Sequence, residues 1–76
     1  MPSLFRAYEF RVSDTDLKET GVVEEYLAED RKAAVAACAY THGLKNGATR
    51  ISPAGWVVIV GELQYAVVPA ISGRRP

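Results

Sequence analysis

Cys38 and His42 are the residues of this chain best suited to chemistry, because a thiol and an imidazole together can perform acyl transfer. They lie four residues apart in an alanine-rich segment, so a helix there would place both on one side. A nucleophilic cysteine needs a lowered pKa, usually from a helix N-terminus or a cationic neighbour. The sequence provides neither, and no third residue to orient the pair. We therefore expect Cys38 to be a small buried apolar residue and His42 to be a capping or surface residue.

Side chains that could hold a metal ion are few. Cys38 and His42 supply two ligands, whereas a structural zinc site takes four. Asp14 and Asp16 stand at the first and third positions of a possible calcium-binding loop, but Glu19 occupies the position where that loop requires glycine. Glycine-rich phosphate loops and hydrolase motifs do not occur in the sequence. The sequence therefore predicts a protein that is not an enzyme and has no metal, no cofactor and no catalytic residue.

Composition favours a single small α+β domain over residues 1–76. The lone cysteine excludes an internal disulfide, and a chain of 76 residues buries only roughly 60% of the surface that its unfolded form exposes. Nine basic and nine acidic residues cancel, whereas nucleic-acid-binding proteins usually carry a basic excess that neutralises phosphate. The first ten residues contain Arg6 and Glu9 and are not expected to act as a signal peptide, and no apolar stretch is long enough to cross a membrane. We expect a cytoplasmic protein, with nucleic acid and membrane disfavoured as partners.

Two strands and a helix are predicted in the first part of the chain. Residues 4–13 alternate polar and apolar side chains, as a half-buried strand does, and residues 22–28 form a second strand after a loop at 13–21. Adjacent residues Glu24 and Glu25 of that second strand should point to opposite faces. The helix is predicted over residues 31–42, between an N-cap at Asp30 and a glycine stop at Gly43 followed by an apolar contact from Leu44. Its sheet-facing side is expected to consist of small residues, namely Ala34, Ala37, Cys38 and Thr41, with Val35 alongside.

The last part of the chain predicts a short strand at residues 49–52 and a hairpin of residues 56–60 and 63–68 about Gly61-Glu62, with Pro69 ending the second strand. Residues 72–76 are predicted to be a flexible tail. The element order is ββαββ or ββαβββ, so we expect an antiparallel sheet of four to five strands with one helix packed on one face. Both sides of the last hairpin are apolar. The face away from the helix is therefore either shielded by curling of the sheet or covered by another chain.

The closing hairpin reads WVVIVG over residues 56–61 and YAVVP over residues 65–69, and it follows an N-terminal hairpin and an alanine-rich helix. This order of elements resembles that of small phage-encoded type I anti-CRISPR proteins. The resemblance implies a non-enzymatic inhibitor in the cytoplasm of a bacterial host. Such a protein binds a Cas subunit or the type I surveillance complex and blocks target-DNA recognition or nuclease recruitment. Because this chain is not strongly acidic, the resemblance does not extend to members that mimic DNA.

Arginine and aromatic side chains are the usual energetic anchors of protein interfaces. The predicted partner-binding residues are Arg6, Glu9 and Arg11 on the first strand, Trp56 and Tyr65 on the last hairpin, and Arg74 and Arg75 in the tail. Trp56 and Tyr65 have a second interpretation as core residues. Two other functions stay open. One is a homo-oligomeric assembly protein, such as a dimer with a self-complementary sheet face, and the other is a small nucleic-acid-binding module.

Overall fold

A computed structural model describes residues 1–70, which form five strands and one helix in the predicted order ββαβββ. The elements are β1 (Ser3–Val12), β2 (Leu17–Ala28), α1 (Arg31–Asn46), β3 (Arg50–Ile51), β4 (Val57–Val60) and β5 (Leu63–Pro69). The strands form one antiparallel sheet in the order β2-β1-β5-β4-β3, and α1 packs against one face. The predicted α+β class is confirmed. The predicted tail, with Arg74 and Arg75, lies outside the described residues.

The second strand is longer than predicted. β2 begins at Leu17, so the predicted loop over residues 13–21 shrinks to a tight turn in which the Ser13 amide donates to the Asp16 carbonyl at 2.9 Å. Pairing with β1 shifts between Tyr8 and Phe10, opposite Gly21. Gly21 has a φ of 92°, which side chains disfavour. This glycine therefore marks an irregularity inside β2 and not the start of the strand.

The closing hairpin is confirmed about its predicted turn, although its first strand begins at Val57 and not at Trp56. Val60 pairs with Leu63, which leaves Gly61 and Glu62 as the two residues of the turn. Gly61 has a φ of 59°, as the two-residue turns that suit the twist of a hairpin require. β5 then lies between β1 and β4 and places its alternate residues in the core.

The core lies between α1 and the sheet. Its buried side chains are Ala34, Val35, Cys38 and His42 of α1 and Phe5, Ala7, Val58, Val60, Tyr65 and Val67 of the sheet. The burial of Ala34 and Cys38 was predicted, whereas Ala37 and Thr41 are only half-buried. The buried face of the helix is thus rotated toward Val35 and His42.

The helix ends one turn later than predicted. Asp30 caps its start by accepting a hydrogen bond from the Ala33 amide at 2.8 Å, as expected. Gly43 stays helical, and Gly47 ends the helix with a φ of 90° and an amide bonded to the Gly43 carbonyl. The predicted stop at Gly43 was wrong because Leu44 is 72% exposed and supplies no apolar contact to hold a cap there.

A pair of glycine substitutions tests where the helix ends. We expect Gly47→Ala to lower the free energy of unfolding by about 1 kcal/mol, because alanine disfavours a positive φ. Gly43→Ala should raise the same free energy by roughly 0.5–1 kcal/mol, since alanine is the better helix former. The added methyl group would meet only the Thr49 hydroxyl, at 3.9 Å. Urea unfolding followed by circular dichroism measures both changes, and a reversed order of the two would contradict this helix end.

Candidate functional site

The sheet face opposite α1 carries mostly apolar side chains, and we call it the open face. Side chains alternate between the two faces of the sheet along each strand. The open face therefore consists of the residues that alternate with the core residues and point away from α1. Its apolar members are Leu4, Tyr8, Phe10, Val12, Leu17, Val23, Leu27, Val57, Ile59, Ala66 and Val68. The central members are half-buried by their neighbours, whereas Leu27 on the edge strand is 70% exposed. Within residues 1–70, no second helix covers this face.

The open face also carries a balanced set of charges. Arg6 lies beside Glu25, with the guanidinium Nε 3.2 Å from the carboxylate, and this hydrogen bond raises the pKa of Arg6. Glu19 pairs with Phe10 and also lies on the open face, so the two acidic residues of this face, Glu19 and Glu25, both belong to β2. Arg50 lies on β3, the opposite edge of the sheet. The face is therefore acidic at one edge and basic at the other.

The predicted contact residues of β1 and β5 separate into two groups. Arg6 lies on the open face, and Arg11 is exposed with its Nη1 3.8 Å from the Glu62 carboxylate. Glu9 points to the helix side, where its carboxylate accepts a hydrogen bond from the Tyr65 hydroxyl. Tyr65 is 3% exposed and belongs to the core, which settles its two interpretations. Tyr65 is therefore not available to a partner in this fold, whereas Arg6 and Glu9 are half-buried and Arg11 is exposed.

Trp56 lies at the side of the domain, just before β4. The residue is 36% exposed, and its ring stacks under the Arg31 guanidinium, whose carbon lies 4.9 Å from the ring centroid. Arg31 is itself fixed, because its Nε donates to the Val67 carbonyl at 2.9 Å. Trp56, Val35 and Ile51 line a shallow groove of about 490 Å³ beside the start of α1. The fold thus directs Trp56 away from the open face.

Glu24, Cys38 and His42 form a cluster of polar side chains between β2 and α1, which we call the polar cluster. His42 Nε2 lies 2.8 Å from a Glu24 carboxylate oxygen, and the His42 ring stacks on Tyr65 at a centroid distance of 4.1 Å. His42 is only 4% exposed. Its prediction as a capping or surface residue was wrong, because α1 continues past it and keeps it on the buried face. The potential ligand atoms of the three residues all lie within 4.8 Å of one another.

Tyrosine hydroxyls supply the hydrogen bonds that extend the polar cluster. The Tyr26 hydroxyl donates to the Glu24 carboxylate at 2.7 Å. The pKa of Tyr26 is raised mainly by burial and secondly by this hydrogen bond. Burial also raises the pKa of Tyr65, which donates to Glu9. Hydrogen bonds from Thr20 and then Tyr65 lower the pKa of Glu9. The tyrosines are therefore donors and the two carboxylates are acceptors, as buried polar groups require.

The Cys38 thiol lacks the properties of a nucleophile. Its side chain is fully buried, as predicted, and burial raises the pKa of the thiol to about 11. The Glu24 carboxylate acts in the same direction, whereas a hydrogen bond with Tyr26 opposes it. At neutral pH the sulfur therefore carries its proton, and the reactive thiolate is not formed.

Comparison with known proteins does not place this chain in a family. No protein-family model matches it, and neither the curated proteins nor the solved structures gave a significant match. Among residues 1–70, no helix combines the length and the apolar character needed to span a membrane.

Sequence reasoning missed the partnership between Glu24 and His42. The separation of Glu24 and Glu25 onto opposite faces is confirmed, because Glu24 pairs with Ala7 of the core and Glu25 pairs with Arg6. His42 also lies one helical turn after Cys38, so it continues the row of buried residues along α1. Together these two patterns are the signal that would have placed Glu24 opposite His42.

Proposed function

We propose that this chain is a non-enzymatic protein-binding domain that docks a partner protein on its open face. The observation that carries the proposal is a broad apolar surface on a sheet whose other face already packs against α1. Apolar surface in contact with water is unfavourable, and extended patches of it commonly mark interaction sites. The buried, protonated Cys38 supports a role without catalysis.

The charges of the open face favour a protein partner over nucleic acid. Tyr8 and Phe10 lie on one side of β1, an arrangement that also suits stacking of bases. However, the Arg6 guanidinium already donates a hydrogen bond to the Glu25 carboxylate, and Glu19 adds a second negative charge that repels phosphate. Affinity for nucleic acid depends on a local excess of positive charge. An apolar centre with few and balanced charges fits the core of a protein–protein interface better.

The partner that we propose is a Cas subunit within a type I CRISPR surveillance complex. The resemblance in element order to small type I anti-CRISPR proteins supports this choice. The open face supports the choice of a protein as the partner. Docking on a Cas subunit would inhibit the complex by blocking target-DNA recognition or nuclease recruitment. The proposal places the protein in the cytoplasm of a bacterial host.

Self-assembly is a second candidate function, and the charge distribution of the open face favours it. The acidic residues Glu19 and Glu25 lie on β2, whereas Arg50 lies on β3 at the other edge. A two-fold axis parallel to the strands would place β2 of one copy over β3 of the other. Opposite charges would then face each other at both rims of an apolar interface.

Two leucines of nearly equal exposure provide a matched test of docking. Leu27 on the open face is 70% exposed, and Leu44 on the outer side of α1 is 72% exposed. We expect Leu27→Lys to weaken binding to purified type I surveillance complexes by about tenfold, as loss of an interface anchor does. Leu44→Lys should bind like the wild type, and circular dichroism checks that both variants fold.

Three outcomes would overturn the docking proposal. The first is equal binding by both variants, and the second is no binding of the wild type to any surveillance complex. The third is a solution mass that increases with protein concentration to that of a dimer in the wild type and stays that of a monomer in Leu27→Lys. That result would favour self-assembly as the function. Salt-sensitive binding of single-stranded nucleic acid by the wild type would instead support the nucleic-acid module.

A further inference from the structure

The polar cluster brings together three side chains of the types that bind zinc. Cys38 and His42 lie one turn apart on α1, and Glu24 reaches them from β2. The sequence offered only the first two as neighbours, and the fold adds the third. We propose that Glu24, Cys38 and His42 form a binding site for a zinc-class divalent metal ion between β2 and α1. The proposal is independent of docking on the open face.

The distances in the polar cluster suit a tetrahedral ion. Zinc bonds of about 2.3 Å to sulfur and 2.0–2.2 Å to nitrogen and oxygen separate the ligand atoms by roughly 3.5 Å. The present separations range from 2.8 Å, between His42 and Glu24, up to a limit of 4.8 Å. Movements of about 1 Å therefore convert a hydrogen-bonded cluster into a coordination shell. A mixed sulfur, nitrogen and oxygen set favours zinc over magnesium or calcium, which take oxygen ligands.

Neighbouring side chains already orient the ligands. The Tyr26 hydroxyl donates to the Glu24 carboxylate, and the Tyr65 ring stacks on the His42 imidazole. Hydrogen bonds and packing of this kind around the ligands fix their geometry and raise metal affinity. The cluster therefore has both the ligands and the supporting groups of a metal site.

Metal binding would join the edge strand to the helix. On binding, the Cys38 thiol gives its proton to the solvent buffer and the sulfur bonds to the metal as a thiolate. Three protein ligands leave one coordination position for water. A chain of 76 residues with one cysteine has no internal disulfide, so a metal bridge is a means of stabilisation open to it.

The composition of the chain makes the test unambiguous. Cys38 is the only cysteine and His42 the only histidine, so any thiolate or imidazole signal comes from the polar cluster once purification tags are removed. We expect Co²⁺ added to the reduced protein to give a near-ultraviolet thiolate-to-cobalt band that saturates at one ion per chain. Zn²⁺ should abolish this band by displacing Co²⁺, and should raise the melting temperature relative to protein in chelator.

Substitutions of adjacent glutamates separate the site from general effects of charge. Glu24→Gln and His42→Asn are each expected to weaken Co²⁺ binding by at least about tenfold. Glu25→Gln removes the same charge from the neighbouring position on the opposite face of β2, and it should bind Co²⁺ like the wild type. Circular dichroism establishes that each variant is folded before titration.

The proposal is overturned if folded wild-type protein shows no thiolate-to-cobalt band at saturating Co²⁺. Unchanged affinity in folded Glu24→Gln would also overturn it. Should the variants fail to fold, alkylation of Cys38 in the wild type decides the question. Bound Zn²⁺ must then slow alkylation by at least about tenfold relative to protein in chelator, and equal rates contradict the site.

Discussion

Ala34→Leu is expected to lower the free energy of unfolding by about 1–3 kcal/mol. Ala34 lies on the buried face of α1 and is fully inaccessible, as is Ala7 in the middle of β1. The helix approaches the sheet closely because such positions hold small side chains. A leucine there must displace α1 or adopt a strained rotamer, and both cost free energy. Urea denaturation monitored by circular dichroism measures the loss.

Ala33→Leu is the matched control for this overpacking. Ala33 precedes Ala34 in the same helix but is exposed, so the added side chain meets solvent. We expect its free energy of unfolding to stay within about 0.5 kcal/mol of the wild type. Equal effects at the two positions would show that helix propensity, and not the spacing between helix and sheet, determines stability here.

The features that the sequence predicted correctly are those that depend on local patterns. Alternation predicted β1, the apolar runs about the Gly61-Glu62 turn predicted the last hairpin, and Asp30 predicted the start of α1. Each of these elements is specified by residues a few positions apart. The prediction that small side chains form the buried side of α1 is likewise confirmed at Ala34 and Cys38.

The features that the sequence did not predict depend on tertiary contacts. Glu24 and His42 are 18 residues apart, and their hydrogen bond exists only because α1 packs across β2. The choice between Gly43 and Gly47 as the end of the helix depends equally on packing, since a glycine can end a helix at either position. The apolar character of both hairpin faces and the packing of one helix on one face are readable from the sequence, but which face α1 covers is clear only from the fold.

Glu24→Leu is expected to lower the free energy of unfolding by about 2 kcal/mol in the presence of a chelator. The substitution removes the acceptor of two donors at once, the Tyr26 hydroxyl and the His42 ring. A buried donor left without a partner costs about 1–3 kcal/mol, and the apolar surface that leucine adds offsets part of this loss. Glu24→Gln keeps one carbonyl oxygen as an acceptor, so its loss should be smaller.

Glu25→Leu and a double-mutant cycle separate the hydrogen bonds from the loss of charge. Glu25 is exposed on the opposite face of the same strand, so its substitution should change stability by no more than about 0.5 kcal/mol. Combining Glu24→Leu with His42→Leu should cost at least about 0.5 kcal/mol less than the sum of the single effects, because the pair is removed together. Additive losses would mean that Glu24 acts through Tyr26 alone.

Repeating the cycle with Zn²⁺ in place of the chelator should enlarge the loss for Glu24→Leu and leave Glu25→Leu unchanged, since only Glu24 belongs to the proposed metal site.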